Sequence, residues 1–241
     1  MNNYERKTSI GKISSIETMG LVDGPGVRTV VFMQGCPLRC KYCHNPETWE
    51  IGRPAKEYTP EQLAALILRY KNYMKHGGVT FSGGEPLLQS QFLSETAVFL
   101  KADGIHICLD TSGVISENPA DEPGLLVLLE QTDLILLDVK ASSPAQYKEI
   151  TGQNMDAFLA FLDLVQHKNK KLWLRTVIVP GINNDPERIA EIQNFAGTVK
   201  NVERIEFLPY HTMGVRKYKE LGFRYPLEGT PALTEAEIRY P

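Results

Sequence analysis

Cys36, Cys40 and Cys43 lie within the stretch GCPLRCKYCHN, with three residues between the first two thiols and two between the last pair. Thiolates grouped this closely are ligands for soft metals. A closed zinc site takes four ligands, and His44, adjacent to Cys43, is badly placed to complete a tetrahedron with it. Three independently packed thiols would be the plain alternative, since free cysteine behaves as a small hydrophobe. Arg39, Lys41 and His44 interleave the thiols, however, and no strand or helix period turns all three inward. A cubane iron–sulfur cluster on three thiolates suits the pattern better. It leaves one iron without a protein ligand, as a catalytic zinc site keeps one position open for chemistry.

Further chemistry-bearing residues follow short apolar runs. Ser82-Gly83-Gly84-Glu85-Pro86 has two glycines that form a tight turn or let a ligand reach bare backbone, with a carboxylate able to accept from an ammonium. Asp110-Thr111-Ser112-Gly113 and Asp138-Val139-Lys140 place an Asp at each of two run ends, where Asp otherwise caps helices and forms turns. Arg175 offers a bidentate donor for a carboxylate or a structural ion pair. His211, in LPYH, is compatible with an ordinary surface position. No role is assigned to His76, His106 or His167, and Cys108, inside an apolar run, reads as packing.

Those motifs need a scaffold that brings run ends together. Strands are expected over 28–34, 79–82, 105–110, 134–139, 172–179 and 202–208, several almost continuously apolar, as in a parallel sheet covered by helices. Helices are expected between them. One starts at Thr59-Pro60-Glu61-Gln62, a capping box with Leu63, Leu66, Ile67, Tyr70 and Met74 on one face. A second starts at Ser143-Pro144, and others cover 91–102, 124–131, 155–168 and 186–196. Right-handed βαβ units of this kind give an α/β fold with its chemistry at the C-terminal strand ends.

Bulk properties narrow the class. The chain has 241 residues, net charge −3, 42% hydrophobic and 23% charged residues. That is an ordinary globular composition, able to bury a core without disulfides. No basic block suggests nucleic acid, and no apolar run reaches membrane-spanning length. The polar start MNNYERKTSIGK lacks a secretory core. A cytoplasmic protein is expected, where clustered thiols stay reduced.

At the cysteine stretch the sequence resembles the radical S-adenosylmethionine (SAM) enzymes, whose signature has this cysteine spacing and an aromatic residue, here Tyr42, before the last thiol. The resemblance implies a partial (β/α)6 TIM-like barrel with helices outside, as a single domain over 1–241. Its core would run from about 10 to 225, with 1–9 and 226–241 peripheral. It implies a 4Fe–4S cluster on Cys36, Cys40 and Cys43 whose open iron binds SAM. One electron then cleaves the sulfonium, giving methionine and a 5′-deoxyadenosyl radical. The SAM contacts it implies are Tyr42, Cys43, His44, Gly83, Gly84, Glu85, Asp138, Val139, Lys140, Arg175 and His211. Asp110, Thr111 and Asp138, with the Leu136 carbonyl, match a monovalent-cation site.

Asp23-Gly24-Pro25-Gly26-Val27-Arg28, CHNPETW, GGEP, LDTSG, LLDVK, VPG (179–181) and LPYH extend the likeness to the glycyl-radical-enzyme activases, most closely to those acting on pyruvate formate-lyase. Such an activase takes one hydrogen atom from a glycine of its partner, so the task of the protein is positioning. Asp23 and His44 would face the partner's glycine loop. Related activases with a ferredoxin-like insert need about eight more cysteines, which this chain lacks. Activases of anaerobic ribonucleotide reductase are typically shorter and lack several of the later motifs. The resemblance also implies a flavodoxin-like electron donor and a monomer. A radical SAM enzyme with a small-molecule substrate, and a non-catalytic iron–sulfur or zinc protein, remain as alternatives. Thr234-Glu235-Ala236-Glu237 begins a capping box, but Tyr240-Pro241 ends the sequence. A shortened C-terminus is therefore expected, loosening the barrel edge or baring apolar surface.

Overall fold

The computed structural model describes residues 8–238 and 240. Six parallel strands form its centre: β2 (Arg28–Met33), β4 (Gly78–Gly83), β5 (His106–Thr111), β6 (Leu134–Asp138), β7 (Leu172–Ile178) and β8 (Val202–Pro209). They match the six expected runs to within two residues. Two antiparallel strands, β1 (Gly11–Gly20) and β3 (Lys56–Tyr58), extend the β2 edge, giving the order β3-β1-β2-β4-β5-β6-β7-β8. The sheet is curved but not closed, since β3 and β8 are its two edges. β1 escaped the sequence reading because GKISSIETMG has few apolar residues; it buries little beyond Gly11 and Ile13.

Helices α1 (Pro60–Leu68), α2 (Ser90–Ala102), α3 (Leu125–Gln131), α4 (Pro144–Thr151), α5 (Asp156–His167), α6 (Pro186–Thr198) and α7 (Val215–Glu220) complete the chain. Strand alternation separates two environments. Val79, Phe81, Ile107, Leu109, Ile135 and Leu137 join Leu63, Leu93, Leu128, Phe158 and Phe161 in the main core beneath the helices. Each such side chain adds about 1.5–3 kcal/mol of burial. The alternate positions face the concave side, where Cys108, Leu134 and Leu136 form a small cluster with Trp173. Arg28, fully buried, donates there to Thr80 Oγ1 (2.6 Å) and to the carbonyls of Pro25 (2.9 Å) and Val79 (2.5 Å).

Local expectations differ from the structure in four places. The Thr59 capping box forms, but α1 stops at Leu68, so Tyr70 and Met74 fall beyond it and Met74 ends a 3-10 turn. Ser143 makes no side-chain cap to α4, which relies on Pro144 at its start and Gly152 in the left-handed conformation at its end. α7 had no sequence signal of its own because it is a single short amphipathic segment. The Thr234 box also forms, around a 3-10 turn. Ile238 packs with Ile178, Ile189 and Ile192, and Leu233 N–H donates to the Tyr210 carbonyl (2.8 Å). The segment up to Ile238 therefore packs against α6 and the C-terminal ends of β7 and β8. Arg239, Pro241 and most of the peripheral segment 1–9 lie outside the described residues.

Candidate active site

The cysteine loop leaves β2 at Met33 and is pinned on two sides. Gly35 and Cys36 N–H donate to the Thr48 (2.7 Å) and Trp49 (3.0 Å) carbonyls, while Arg39 and Lys41 N–H donate to Thr151 (2.9 Å) and Ile150 (2.9 Å) at the end of α4. Gln34 ties the return segment with bonds of 2.9 Å to the Glu47 and Glu50 carbonyls. All three thiols are free; Cys40 is buried and Cys36 and Cys43 are half-buried. Burial pushes the Cys40 thiol up to about 11, and Cys36 and Cys43 are raised for the same reason. The charges of Glu85, Cys40 and Cys43 add to this at Cys36. Among the described residues no three His, Cys, Asp or Glu side chains converge on a single metal ion. The three thiols lie on one loop, between Cys36 and Cys43.

The GGEP turn, at the end of β4, is stitched to that loop. Gly84 N–H donates to the Met33 carbonyl (2.9 Å) and Glu85 N–H to the Gly35 carbonyl (2.7 Å). Gly83 has φ +107°, and a Cβ on Gly84 would lie 2.1 Å from the Gly35 carbonyl oxygen. Only glycine permits this backbone contact. Glu85 differs from the expectation of a carboxylate open to a ligand. It is 0% exposed and accepts from Thr111 Oγ1 (2.5 Å), Leu87 N–H (3.1 Å), and both Ser112 N–H (2.9 Å) and Ser112 Oγ (2.5 Å). Its carboxylate is committed to joining the ends of β4 and β5.

The other strand ends converge on the concave side. Asp110 pairs in register with Leu136, and Asp138 with Arg175, which in turn pairs with Glu206. Asp110 accepts from Ser82 Oγ (2.6 Å) and lies 4.0 Å from Arg175 Nη1. Burial raises its carboxyl to about 6, with Arg175 opposing and Asp138 adding to the rise. Thr111 turns away to Glu85, so of the three expected cation ligands only the two aspartates share this face. Lys140 Nζ sits 2.5 Å from Asp138 and 5.6 Å from the centre of the Tyr42 ring. Burial disfavours its charge, but Asp138, Tyr42 and Cys40 outweigh it and keep the ammonium firmly charged. Val139 is buried, with its carbonyl accepting from Thr176 Oγ1 (3.0 Å).

Arg175 holds the loop between β1 and β2. It donates to the Val22 carbonyl and, through Nε, to Glu206 (2.8 Å). Thr80 Oγ1 fixes the next carbonyl, that of Asp23 (2.6 Å). Asp23 is raised by burial against the pull of Arg175 and Arg28. His44 and His211 meet edge-on at 4.9 Å. Burial and His211 press His44 down to about 4, and burial lowers His211, so both rings are neutral at physiological pH.

A model of the Radical SAM superfamily matches residues 30–192. The chain is 46% identical over 226 residues to the pyruvate formate-lyase-activating enzyme of Clostridium pasteurianum, covering 93% of this chain and 92% of the relative. The Listeria monocytogenes enzyme of the same name is 44% identical over 232 residues, with 95% and 93% covered. This chain belongs to the radical SAM superfamily. A solved domain of a pyruvate formate-lyase-activating enzyme from Bacteroides vulgatus shares the fold at 24% identity, covering 67% of this chain and 88% of that one, with a TM-score of 0.51. Streptococcus suis SuiB bound to its precursor peptide shares it at 17% identity and a TM-score of 0.61, over 76% of this chain and 39% of that one.

Radical SAM membership implies a 4Fe–4S cluster and SAM. The residues present fit such a cluster. Three free thiols share one loop, and the buried hydroxyls of Tyr42, Tyr147 and Tyr218 have no hydrogen-bond partner. The α4 and α7 tyrosines escaped the sequence reading because isolated aromatics in amphipathic segments look like ordinary core. Trp49 was visible only as part of CHNPETW. In the radical SAM fold here it packs beside Cys43, against Tyr218 (5.6 Å), Phe223 (5.6 Å) and Arg39 (4.9 Å).

Proposed function

We propose that this protein activates pyruvate formate-lyase by generating a glycyl radical on it. The observation that carries the reading is the near-full-length identity to curated activating enzymes, 46% over 93% of the chain. Cys36, Cys40 and Cys43 would hold the cluster, which would supply the single electron for reductive cleavage of SAM that ends in removal of one hydrogen atom from a partner glycine.

The chain's own residues bind and orient. Gly83 and Gly84 offer backbone to the methionyl group, while Glu85 acts by fixing that turn. Tyr42, Cys43, His44, Asp138, Val139, Lys140, Arg175 and His211 complete the SAM contacts. The Lys140 ammonium, kept charged by Asp138, suits a carboxylate or hydroxyl acceptor. The neutral His44–His211 pair lets an uncharged adenosyl group approach without ionic competition. Asp110, its carboxyl raised by burial and by the neighbouring Asp138, would welcome a monovalent cation shared with Asp138, while Thr111 bonds to Glu85. Asp23 and His44 belong at the partner's glycine loop, a flavodoxin-like protein supplies the electron, and the chain acts as a monomer. Hydrogen-atom transfer needs no side-chain base, so positioning and exclusion of water supply the catalysis.

Anaerobic reconstitution, reduction, and addition of SAM and purified pyruvate formate-lyase test the reading by electron paramagnetic resonance. A glycyl radical on the partner with one 5′-deoxyadenosine per radical is expected. Deoxyadenosine without a protein radical would move the reading to a small substrate, and none at all would end it.

A further inference from the structure

Two buried phenols flank the cysteine loop without any partner. Tyr147 is 0% exposed and Tyr218 1% exposed, yet neither hydroxyl makes a hydrogen bond. A buried hydroxyl left unpaired costs about 1–3 kcal/mol, so each such group calls for an explanation. A plain packing role would be filled as well by Phe.

Their placement supplies one. α4 carries Tyr147 and is latched to the loop by the Ile150 and Thr151 carbonyls, which accept from Lys41 and Arg39 on either side of Cys40. α7 carries Tyr218 and begins against the other end of the loop. A Cβ on Gly214 would lie 2.6 Å from His44 Cα and 3.1 Å from the Cys43 carbonyl. Lys217 Nζ then reaches Asn45 Oδ1 (2.7 Å) and Glu47 (2.5 Å), and the Tyr218 ring meets Trp49. The charges felt by the Tyr218 hydroxyl, after burial, are led by Cys43 and Cys40. At Tyr147 they are led by Lys140 and Cys40. The two helices thus carry one unpaired donor each against the cysteine loop, α4 beside Cys40 and α7 beside Cys43 and His44.

We propose that the Tyr147 and Tyr218 hydroxyls are positioning donors for the sulfurs of the bound iron–sulfur cluster and favour its reduced state. This rests on the cluster assignment under the proposed function. Hydrogen bonds to cluster sulfurs offset negative charge and so raise the reduction potential. The phenolic protons stay on oxygen, and the single electron comes from an external reductant.

The test compares wild type with Tyr147→Phe and Tyr218→Phe, each loaded anaerobically with iron and sulfide. Dithionite titration without SAM, followed by electron paramagnetic resonance, reads the potential. At a fixed poise each variant is expected to show an about tenfold lower reduced-to-oxidised ratio, about 59 mV for one electron. The apoproteins should melt no lower than wild type, because Phe removes an unpaired polar group. Should a variant load poorly, the wild-type cluster reduced in deuterated buffer provides a second reading. Pulsed double resonance should detect exchangeable deuterons coupled to it, and their absence would count against the donors. An unchanged potential in one variant removes that tyrosine from the assignment, and unchanged potentials in both overturn it. Failure of wild type to take up any cluster would instead overturn the functional reading.

Discussion

Ser112 N–H lies 2.9 Å from Glu85 Oε2, joining the turn after β4 to the loop after β5. With Ser112 Oγ, Thr111 Oγ1 and Leu87 N–H, it gives a fully buried carboxylate four donors. Glu85→Gln keeps the shape but replaces one acceptor oxygen by a donor facing donors. Hydrogen bonds to a charged group are worth about 1.5–3 kcal/mol each, so a loss of about 3 kcal/mol is expected. Denaturant unfolding should show it as a lower midpoint at constant slope. A variant as stable as wild type would mean the carboxylate does not staple the strand ends.

Gly84→Ala should damage the cofactor site more than its size suggests. The added methyl would meet the Gly35 carbonyl at 2.1 Å, and that backbone leads directly into Cys36. Relieving the clash costs about 1–3 kcal/mol and moves the first thiol. Iron bound per chain after reconstitution should fall well below that of wild type, while far-ultraviolet circular dichroism stays α/β. Full iron occupancy would show that the loop tolerates the shift.

Cys36→Ala, Cys40→Ala and Cys43→Ala should each abolish SAM cleavage, measured as 5′-deoxyadenosine. Cys108→Ala should leave it largely intact, because that thiol packs with Leu134 and Leu136 apart from the loop. An inactive Cys108→Ala that still folds would break the three-cysteine assignment.

Which parts of this molecule were readable beforehand follows from how local their causes are. Continuous apolar runs such as Leu134–Asp138 and the Thr59-Pro60-Glu61-Gln62 start needed only neighbouring residues, and they appeared where expected. β1 depends on pairing with β2, and α7 on docking against His44, so neither leaves a clear local pattern. At the site, cysteine spacing announced metal chemistry. What stayed hidden were directions: that Glu85 faces inward to Ser112, that Thr111 turns away to Glu85, and that the Tyr147 and Tyr218 hydroxyls are buried without a partner. Residue type fixes what a group can do, whereas packing decides what it faces.

Acid should selectively weaken the attachment of α2 to the sheet. Asp133 accepts both Lys101 Nζ bonds (2.9 and 2.8 Å) and the Ile107 N–H (2.8 Å) at the start of β5. Burial alone would raise its carboxyl, but these partners outweigh it and hold it below its ordinary 3.8. A depressed carboxylate pKa gives stability that is full above the unfolded value and lost as pH falls through the folded one. The pair is a third exposed, so its worth is about 1 kcal/mol, or about 2–4 °C in melting temperature. Asp133→Asn should therefore melt that much lower than wild type above about pH 5, and the gap should close as the pH is lowered toward about 2. A gap that stays constant across this range would show that the charge of Asp133 contributes nothing to the joint.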